Sequence, residues 1–359
     1  MKRIGCIMNQ RGEMVTLQEA MADYGNIHKA YNKARKCKRY RKDVLQFTKG
    51  KEENLEEVRN DVQELIYKPS EYRYFKVYEP KERQIMALPF YDRVLQHAIN
   101  NILEPIFNRR FIFHSYACRK GKGMHVASDT LQKWLYEWQK FHIDEPLYAI
   151  KADIHHYFQS INHDVLKAEI RKVIKDAGTL ALIDRIIDHN GQMPDGIGIP
   201  VGNLTSQLFA NIYLNMLDRY VKHELKAKYY IRYMDDFIIL SPDKTQLKEW
   251  LERIERFINE KLKLELNPKT TILCTKNGVD FVGYKHRATH KKVRQDSIKR
   301  IKKTIKQYKK GKLTKEHLQK SIQSWTGHAE HADSYHLREK IHAMADTAIA
   351  GKETVNDGS

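Results

Sequence analysis

Two adjacent carboxylates, Asp235 and Asp236, stand in the stretch Tyr229-Tyr-Ile-Arg-Tyr-Met-Asp-Asp-Phe-Ile-Ile-Leu240, with apolar and aromatic residues on either side. Side chains alternate faces along a strand, so both acids serve one site only if the chain turns tightly between two strands. The stretch therefore predicts a β-hairpin with the acids at its tip. Like charges at close range repel and resist ionising together, and a divalent cation removes that difficulty. Pairs of metal ions held by carboxylates about 3.5–4 Å apart stabilise the attacking and leaving oxygens of phosphoryl transfer. A polar hairpin turn, to which Asp is well suited, is the plainer reading of the same residues.

A third carboxylate lies upstream. Leu147-Tyr-Ala-Ile-Lys-Ala-Asp-Ile154 is nearly continuous in apolar character and predicts a buried central strand delivering Asp153 at its end; an acid so placed also serves as a cap for the next helix. That helix, His155–Ile161, would set Phe158 five residues beyond Asp153. His155, His156 and His163 form no metal-ligand pattern with any cysteine and read as surface or packing residues. Gly196-Ile-Gly-Ile-Pro-Val-Gly202 is a stiff turn opening a helix over 203–221 with an apolar stripe of core type. Val201, Gly202, Ser206 and Gln207 gather at the start of that helix.

The elements that must carry these groups are α and β in mixed order. Residues 12–68 predict helices, with Leu55, Val58, Val62, Leu65 and Ile66 at helical spacing. Lys33–Lys42, with seven basic residues in ten, is open between a solvated face and a surface for RNA or a partner. Residues 72–91 predict a hairpin about Glu79-Pro-Lys-Glu-Arg83, followed by an amphipathic helix over 92–107. Arg119-Lys-Gly-Lys-Gly123 reads either as a phosphate-binding turn or as a basic surface loop. A helix over 247–261 and a short strand over 262–266 follow the acidic hairpin, and Phe281-Val-Gly-Tyr284 closes the section.

At 359 residues, two or three subdomains are expected. The net charge of +19 points to a polyanion, nucleic acid first. It is concentrated: residues 285–315 hold fourteen Lys or Arg against one acid, Asp296, while Ile298, Ile301, Ile305 and Tyr308 keep a helical stripe. A folded basic helix suited to a phosphate backbone follows. The last ten residues show no apolar pattern, and disorder is expected there. Cys6, Cys37, Cys118 and Cys274 lack the spacing of a disulfide framework or a structural zinc site, and are expected as buried or idle thiols. With neither a signal-peptide run nor a membrane span, a cytoplasmic protein is expected.

Taken in order, an acid ending an apolar strand, an aromatic residue five positions on, a Pro-x-Gly turn opening a helix, Tyr-Met-Asp-Asp, Phe-Val-Gly-Tyr and a basic helix resemble the reverse transcriptase family over roughly residues 70–340. The resemblance implies an α+β right-hand polymerase with fingers, a palm built on an antiparallel sheet and a helical thumb, preceded by an N-terminal helical extension. Its implied limits are 1–70 for the extension, 71–196 for fingers interleaved with palm (the palm strand and first catalytic Asp near 147–158), 197–285 for palm, 286–346 for the basic thumb and 347–359 for a disordered tail. It implies Asp153, Asp235 and Asp236 as catalytic carboxylates, holding with the carbonyl of Ile154 two Mg2+ ions, for which Mn2+ can substitute. Lys81, Arg83, Phe158, Val201, Gly202 and Gln207 would contact the incoming dNTP, with Phe158 under the sugar. Lys299, Arg300, Lys302, Lys303 and Lys306 would meet the nucleic acid.

Within the family, most members carry Gln at the position of Val201 and Pro at that of Gln207. The form here looks like the reverse transcriptases of diversity-generating retroelements, which copy template-repeat RNA into cDNA with errors concentrated at template adenines. The implied partners are template RNA, a nucleic-acid primer, dNTPs and a small, basic, oligomeric accessory variability protein; neither a membrane nor self-association is expected. Another bacterial group-II-like or phage-defence reverse transcriptase is the alternative, and a catalytically inactive nucleic-acid-binding protein of the same shape is a further one.

Overall fold

A computed structural model describes residues 3–9, 11–78 and 83–356. The chain opens with a short antiparallel pair, β1 (Cys6–Met8) and β2 (Met14–Thr16), then α1 (Leu17–Ala22), α2 (Tyr24–Ala34), α3 (Lys42–Lys49) and α4 (Lys51–Gln63). The hairpin β3 (Arg73–Val77) and β4 (Arg83–Ala87) leads into α5 (Phe90–Asn108) and α6 (Met124–Phe141). Next come β5 (Tyr148–Ala152), α7 (Tyr157–Ser160), α8 (His163–Arg171), α9 (Ala177–Asp188), α10 (Leu204–Arg219), β6 (Tyr229–Tyr233), β7 (Asp236–Ser241) and α11 (Lys244–Leu262). The remainder comprises β8 (Thr271–Cys274), β9 (Val279–Phe281), β10 (Tyr284–His286), β11 (Lys291–Val293), α12 (Gln295–Lys309), α13 (Lys315–Ala329) and α14 (Tyr335–Asn356).

Several sequence expectations are corrected. Met14-Val15-Thr16 is strand rather than helix, because it pairs with Cys6–Met8. The first helix starts only where the Thr16 hydroxyl accepts from the Glu19 amide while the Glu19 carboxylate accepts from the Thr16 amide. After Asp153 only one helical turn forms, since His156 adopts φ 44° just before it. The strand expected over 262–266 reduces to a single bridge of Leu266 to Ile154, and pairing resumes at Thr271. The first part of the basic stretch is β10 and β11, not helix. At the other end, α14 runs on to Asn356, through residues expected to be disordered. Propagating a helix fixes one residue per added hydrogen bond, so a weakly patterned sequence continues a turn it would not nucleate. Cys6, Cys37 and Cys118 are exposed rather than buried, and all four cysteines are free. Among the described residues no helix is long and apolar enough to cross a membrane.

The chain divides into two compact units, each discontinuous in sequence. One takes the residues up to Arg119 with Asp153–Lys226 and Leu251–Lys269. The N-terminal helices do not stand apart within it. Asn26 Nδ2 of α2 donates to the carbonyl of Ala98 in α5 at 3.1 Å, and Asn101 Nδ2 donates to Asn26 Oδ1 at 2.9 Å. Asp92, fully buried, accepts from the Tyr67 hydroxyl (2.8 Å) and the Ser70 amide (3.0 Å), which fixes the approach to the β3–β4 hairpin.

The other unit takes Lys120–Ala152, Ala227–Trp250 and the chain from Thr270 onward. Its main sheet has the order β6-β7-β5-β8, antiparallel throughout. The two inner strands are apolar along nearly their whole length: Phe237, Ile238, Ile239 and Leu240 are buried, as are Ala149, Ile150 and Ala152. A second, three-stranded sheet has the order β11-β10-β9. The last three helices pack around Ile301, Ile305, Leu318, Ile322, Trp325 and Ile341. Val282 and Gly283, the two residues between β9 and β10, have φ 39° and 90°. These are the positive values that a two-residue hairpin loop matching strand twist requires.

Candidate active site

The hairpin predicted at Asp235-Asp236 is present. Tyr233 and Asp236 close it as register partners, leaving Met234 and Asp235 as a two-residue loop. Met234 has φ 57°, a left-handed value that a side chain other than Gly adopts at a cost. A buried arginine holds this turn. Arg232, 0% exposed and next to the last residue of β6, donates from Nη1 to the Met234 carbonyl at 2.7 Å. Both aspartates remain partly exposed. Lys151 Nζ of β5 lies 3.4 Å from Asp236 Oδ1, so a cation of the central strand faces one of the two acids.

Asp153 directly follows Ala152, the β5 residue in register with Phe237. The backbone around it is pinned on one side: the Asp153 carbonyl accepts from the Asn267 amide at 2.7 Å, Ile154 bridges Leu266, and the His155 amide donates to Glu265 at 2.9 Å. Asn267 Nδ2 also approaches Asp153 Oδ2 at 3.5 Å. The role of the strand-ending acid as a helix cap is not realised, since α7 carries no side-chain cap. Within either unit, among the described residues, no three of His, Cys, Asp and Glu form a group able to hold a metal ion. The donors expected of such a site are the carboxylates of Asp153, Asp235 and Asp236 and the carbonyl of Ile154. Their chemistry is that of hard oxygen ligands, which suits Mg2+.

The nucleotide-contact candidates separate into two groups. The carbonyl of Val201 accepts from the Met86 amide of β4 at 3.2 Å, so the turn before α10 is joined to the hairpin β3–β4. Gly202 follows at φ 128°, where an added Cβ would stand 2.7 Å from the Met86 carbonyl. Only glycine fits. Phe158 is half-buried, and its carbonyl accepts from Ile199 at 2.8 Å, which ties α7 to the same turn. Gln207, one helical turn further on and exposed, instead borders a small cavity with Asn100, Glu104 and Arg119. Of Arg83 only the backbone is described, opening β4 opposite Val77. Lys81 lies outside the described residues.

Three contributors escaped the sequence reading. Arg232 and Lys151 each interrupt an otherwise apolar strand, which was the available signal. Asn203, 5% exposed, donates to the Tyr72 hydroxyl at 2.8 Å, and that hydroxyl donates to the His189 carbonyl at 2.9 Å. Burial pushes the Tyr72 hydroxyl well above its ordinary pKa, which keeps it a donor. Arg119, which opens the stretch readable as a phosphate-binding turn or a basic surface loop, is engaged internally: its Nε donates to Asn108 Oδ1 at 2.6 Å and its Nη1 to the carbonyls of Ile112 and Ser115, both at 2.7 Å. His163 is a packing residue, as expected, with Nε2 2.8 Å from the Gly198 carbonyl. On α12, Lys299, Arg300, Lys302, Lys303 and Lys306 are all exposed, opposite the buried Ile301, Ile305 and Tyr308.

An antiparallel sheet with a two-acid hairpin at its tip, together with a glycine-tight turn joined to a second hairpin and a terminal helical bundle, has the fold class of a right-hand polymerase. The profile of the family described as Reverse transcriptase (RNA-dependent DNA polymerase) matches residues 66–286, and the chain belongs to that family. The chain is 27% identical over 298 residues to Protein YkfC of Escherichia coli, covering 71% of this chain and 76% of that protein. It is 26% identical over 333 residues to the Group II intron-encoded protein LtrA of Lactococcus lactis, covering 73% of this chain and 54% of LtrA. Among solved structures, apo telomerase from Candida tropicalis, truncated from its C-terminal domain, overlays with a TM-score of 0.49 at 14% identity, covering 62% of this chain and 55% of that one. The chain thus spans about half the length of LtrA and of the telomerase.

Proposed function

We propose that this chain is the reverse transcriptase of a diversity-generating retroelement, copying template-repeat RNA into cDNA with low fidelity, above all at template adenines. Two Mg2+ ions, held by Asp153, Asp235, Asp236 and the carbonyl of Ile154, would stabilise charge on the attacking and leaving oxygens. In this reading Arg232 keeps the carboxylates at the tip by fixing the Met234 carbonyl, and Lys151 offsets the repulsion between them. Phe158 packs against C2′ of the sugar, leaving no room for a hydroxyl. Lys81 and Arg83 grip the triphosphate, and the exposed cations of α12 bind the template–primer backbone. A small basic accessory protein completes the assembly.

The observation that carries the class is Val201 at the turn joined to Met86. An amide side chain there can hydrogen-bond the incoming sugar and couple correct pairing to a preorganised site, whereas valine cannot. A directional contact made only with the correct pair contributes about 1–3 kcal/mol of discrimination, roughly ten- to a hundredfold. Similarity to LtrA supports a second reading, a group-II-like reverse transcriptase outside this class, and a template repeat with a near-identical variable repeat beside the gene would separate the two. The direct test is primer extension on an RNA template with Mg2+. Asp235→Asn is expected to lower the rate by about 10²-fold or more; near-full extension by that variant removes the polymerase assignment. In the same assay Val201→Gln is expected to lower misincorporation, most of all opposite adenine. Equal error ratios for variant and parent would take Val201 out of the mechanism.

A further inference from the structure

In the unit that holds α5, α8 and α10, the C-terminal ends of α5 and α8 and the last two turns of α10, which continues as a helical turn to Glu224, border a cavity of about 410 Å³. That size is within the range of small-ligand sites. Its floor is apolar, with Phe107 and Phe111 2% and 9% exposed. Its walls carry Arg3, Arg110, Lys172 and Arg219. Helix C-termini attract cations, each end acting as about half a negative charge. Arg110 serves one such end, donating from Nη1 to the Ile106 carbonyl at 2.9 Å. The two helix ends of α5 and α8 and Glu169, whose carboxylate is paired with Lys172 at 2.6 Å, offset about two of the four positive charges. A positive surplus faces the cavity.

Helix capping leaves a second feature unexplained. Asn215, 7% exposed, lines the same cavity, and its buried Oδ1 accepts no hydrogen bond from any described residue. Arg110 Nε is likewise buried without an acceptor. Burying such groups unmet is costly, and native structures generally supply a partner. Asn215 lies eight residues beyond Gln207 on α10, roughly 12 Å along the axis, and none of the residues assigned to polymerisation lines this cavity.

We propose that the cavity binds a nucleoside phosphate: the base lies against Phe107 and Phe111, an N–H of its edge donates to Asn215 Oδ1, and the phosphate is held by Arg110, Arg219 and Arg3. Inorganic phosphate would satisfy the cations but neither the aromatic floor nor the buried acceptor. A free nucleotide and the terminal nucleotide of an RNA chain present the same chemistry. The site owes nothing to the metal carboxylates, so occupancy requires no divalent ion.

Calorimetric titration of the full chain in EDTA, with ATP, pyrophosphate and a 5′-phosphorylated RNA tetranucleotide as probes, tests this. ATP is expected to bind saturably at one site, with binding abolished by Asn215→Leu and weakened about tenfold by Arg110→Gln. Should Asn215→Leu fail to fold, Arg219→Gln, at an exposed position, is expected to weaken ATP about tenfold by itself. Tetranucleotide binding tighter than ATP and sensitive to Arg219→Gln assigns an RNA end to the site; weaker or equal binding assigns the free nucleotide. The proposal is overturned by the absence of ATP binding at millimolar concentration, by pyrophosphate binding as tightly as ATP, or by ATP binding that none of the three substitutions changes.

Discussion

Two hairpins of the same unit both reverse in two residues, but one needs positive φ at both loop residues and the other only at the first. Between Tyr233 and Asp236, and again between Phe281 and Tyr284, the chain reverses in two residues, and the first of each pair, Met234 or Val282, is a side chain forced to positive φ. In the second hairpin the next residue is Gly283, which takes φ 90° freely and gives way to His328, whose ring stands 2.9 Å from where a Cβ would be. The surroundings are packed and local: the Tyr284 hydroxyl donates to the His328 carbonyl at 2.8 Å, and His286 in the next strand position but one is fully buried. In the first hairpin the corresponding place is taken by Asp235, and a fully buried guanidinium braces the turn. Strain by itself therefore does not mark a functional turn. What distinguishes the acidic hairpin is that its buried polar group, a guanidinium, bonds the carbonyl of the turn itself, beside two partly exposed carboxylates.

The largest effect that would test this contrast is at Arg232. Arg232→Leu leaves the Met234 carbonyl without its donor and loses the packing of a large buried side chain, and should cost roughly 3–4 kcal/mol, of which the unmet acceptor contributes about 1–3. Chemical denaturation measures it. A loss under about 1 kcal/mol would mean that the turn holds itself.

For the other hairpin, the support is expected to depend on pH. His286 Nε2 stands 2.8 Å from Ser128 Oγ and its Nδ1 3.2 Å from the Val279 carbonyl. Burial is the main cause that lowers its pKa from 6.5 to about 4, with Lys291 and Arg294 adding to it and the Val279 contact and Asp129 opposing. The folded protein therefore keeps this ring neutral while the unfolded chain protonates it. The resulting stability is fully present above the unfolded value of 6.5 and is lost as pH falls towards about 4, an effect on the order of 3 kcal/mol. Denaturation midpoints of the parent and His286→Gln between these limits should converge as pH drops; parallel curves would show that His286 does not govern the acid limb.

The smallest expected effect sharpens the comparison most. At Val282, glycine relieves the positive φ at the expense of a freer unfolded chain, so Val282→Gly should raise stability by about 0.5–1 kcal/mol, read as a small rise in Tm. A fall would show that the valine side chain contributes more through packing than its backbone costs.

Much of this arrangement was legible in the sequence. The acidic hairpin, the apolar strand before Asp153, the hairpin at 72–91 and the stripe of α10 all rest on periodicity that burial enforces residue by residue. The errors fell where a distant partner decides the conformation. Met14–Thr16 is strand only because Cys6–Met8 lies beside it, and Thr271–Cys274 only because β5 offers an edge. Arg232 was passed over because one charge in an apolar run has no period, and its meaning lies in a carbonyl two residues away. Arg119 is the opposite case: a cation beside glycines leaves a phosphate-binding turn and a surface loop both open, and only the structure shows its donors taken by Asn108 and by the carbonyls of Ile112 and Ser115. The separation of Gln207 from Val201 is a matter of helix phase, visible only once α5 is in place.

The position of β5 also sets a timetable for synthesis. Its neighbours in the sheet are β7 and β8, and the second of these begins at Thr271, roughly 120 residues after Ala152. At about 5–20 residues per second, the ribosome needs roughly 6–24 s to deliver it. Until β7 emerges both edges of Tyr-Ala-Ile-Lys-Ala are open, and the edge that β8 will take stays open for the whole interval, the kind of segment that pairs with the wrong chain. Lys151, next to its last residue, then has a second use, as a charge that discourages such pairing until the rest of the sheet has emerged.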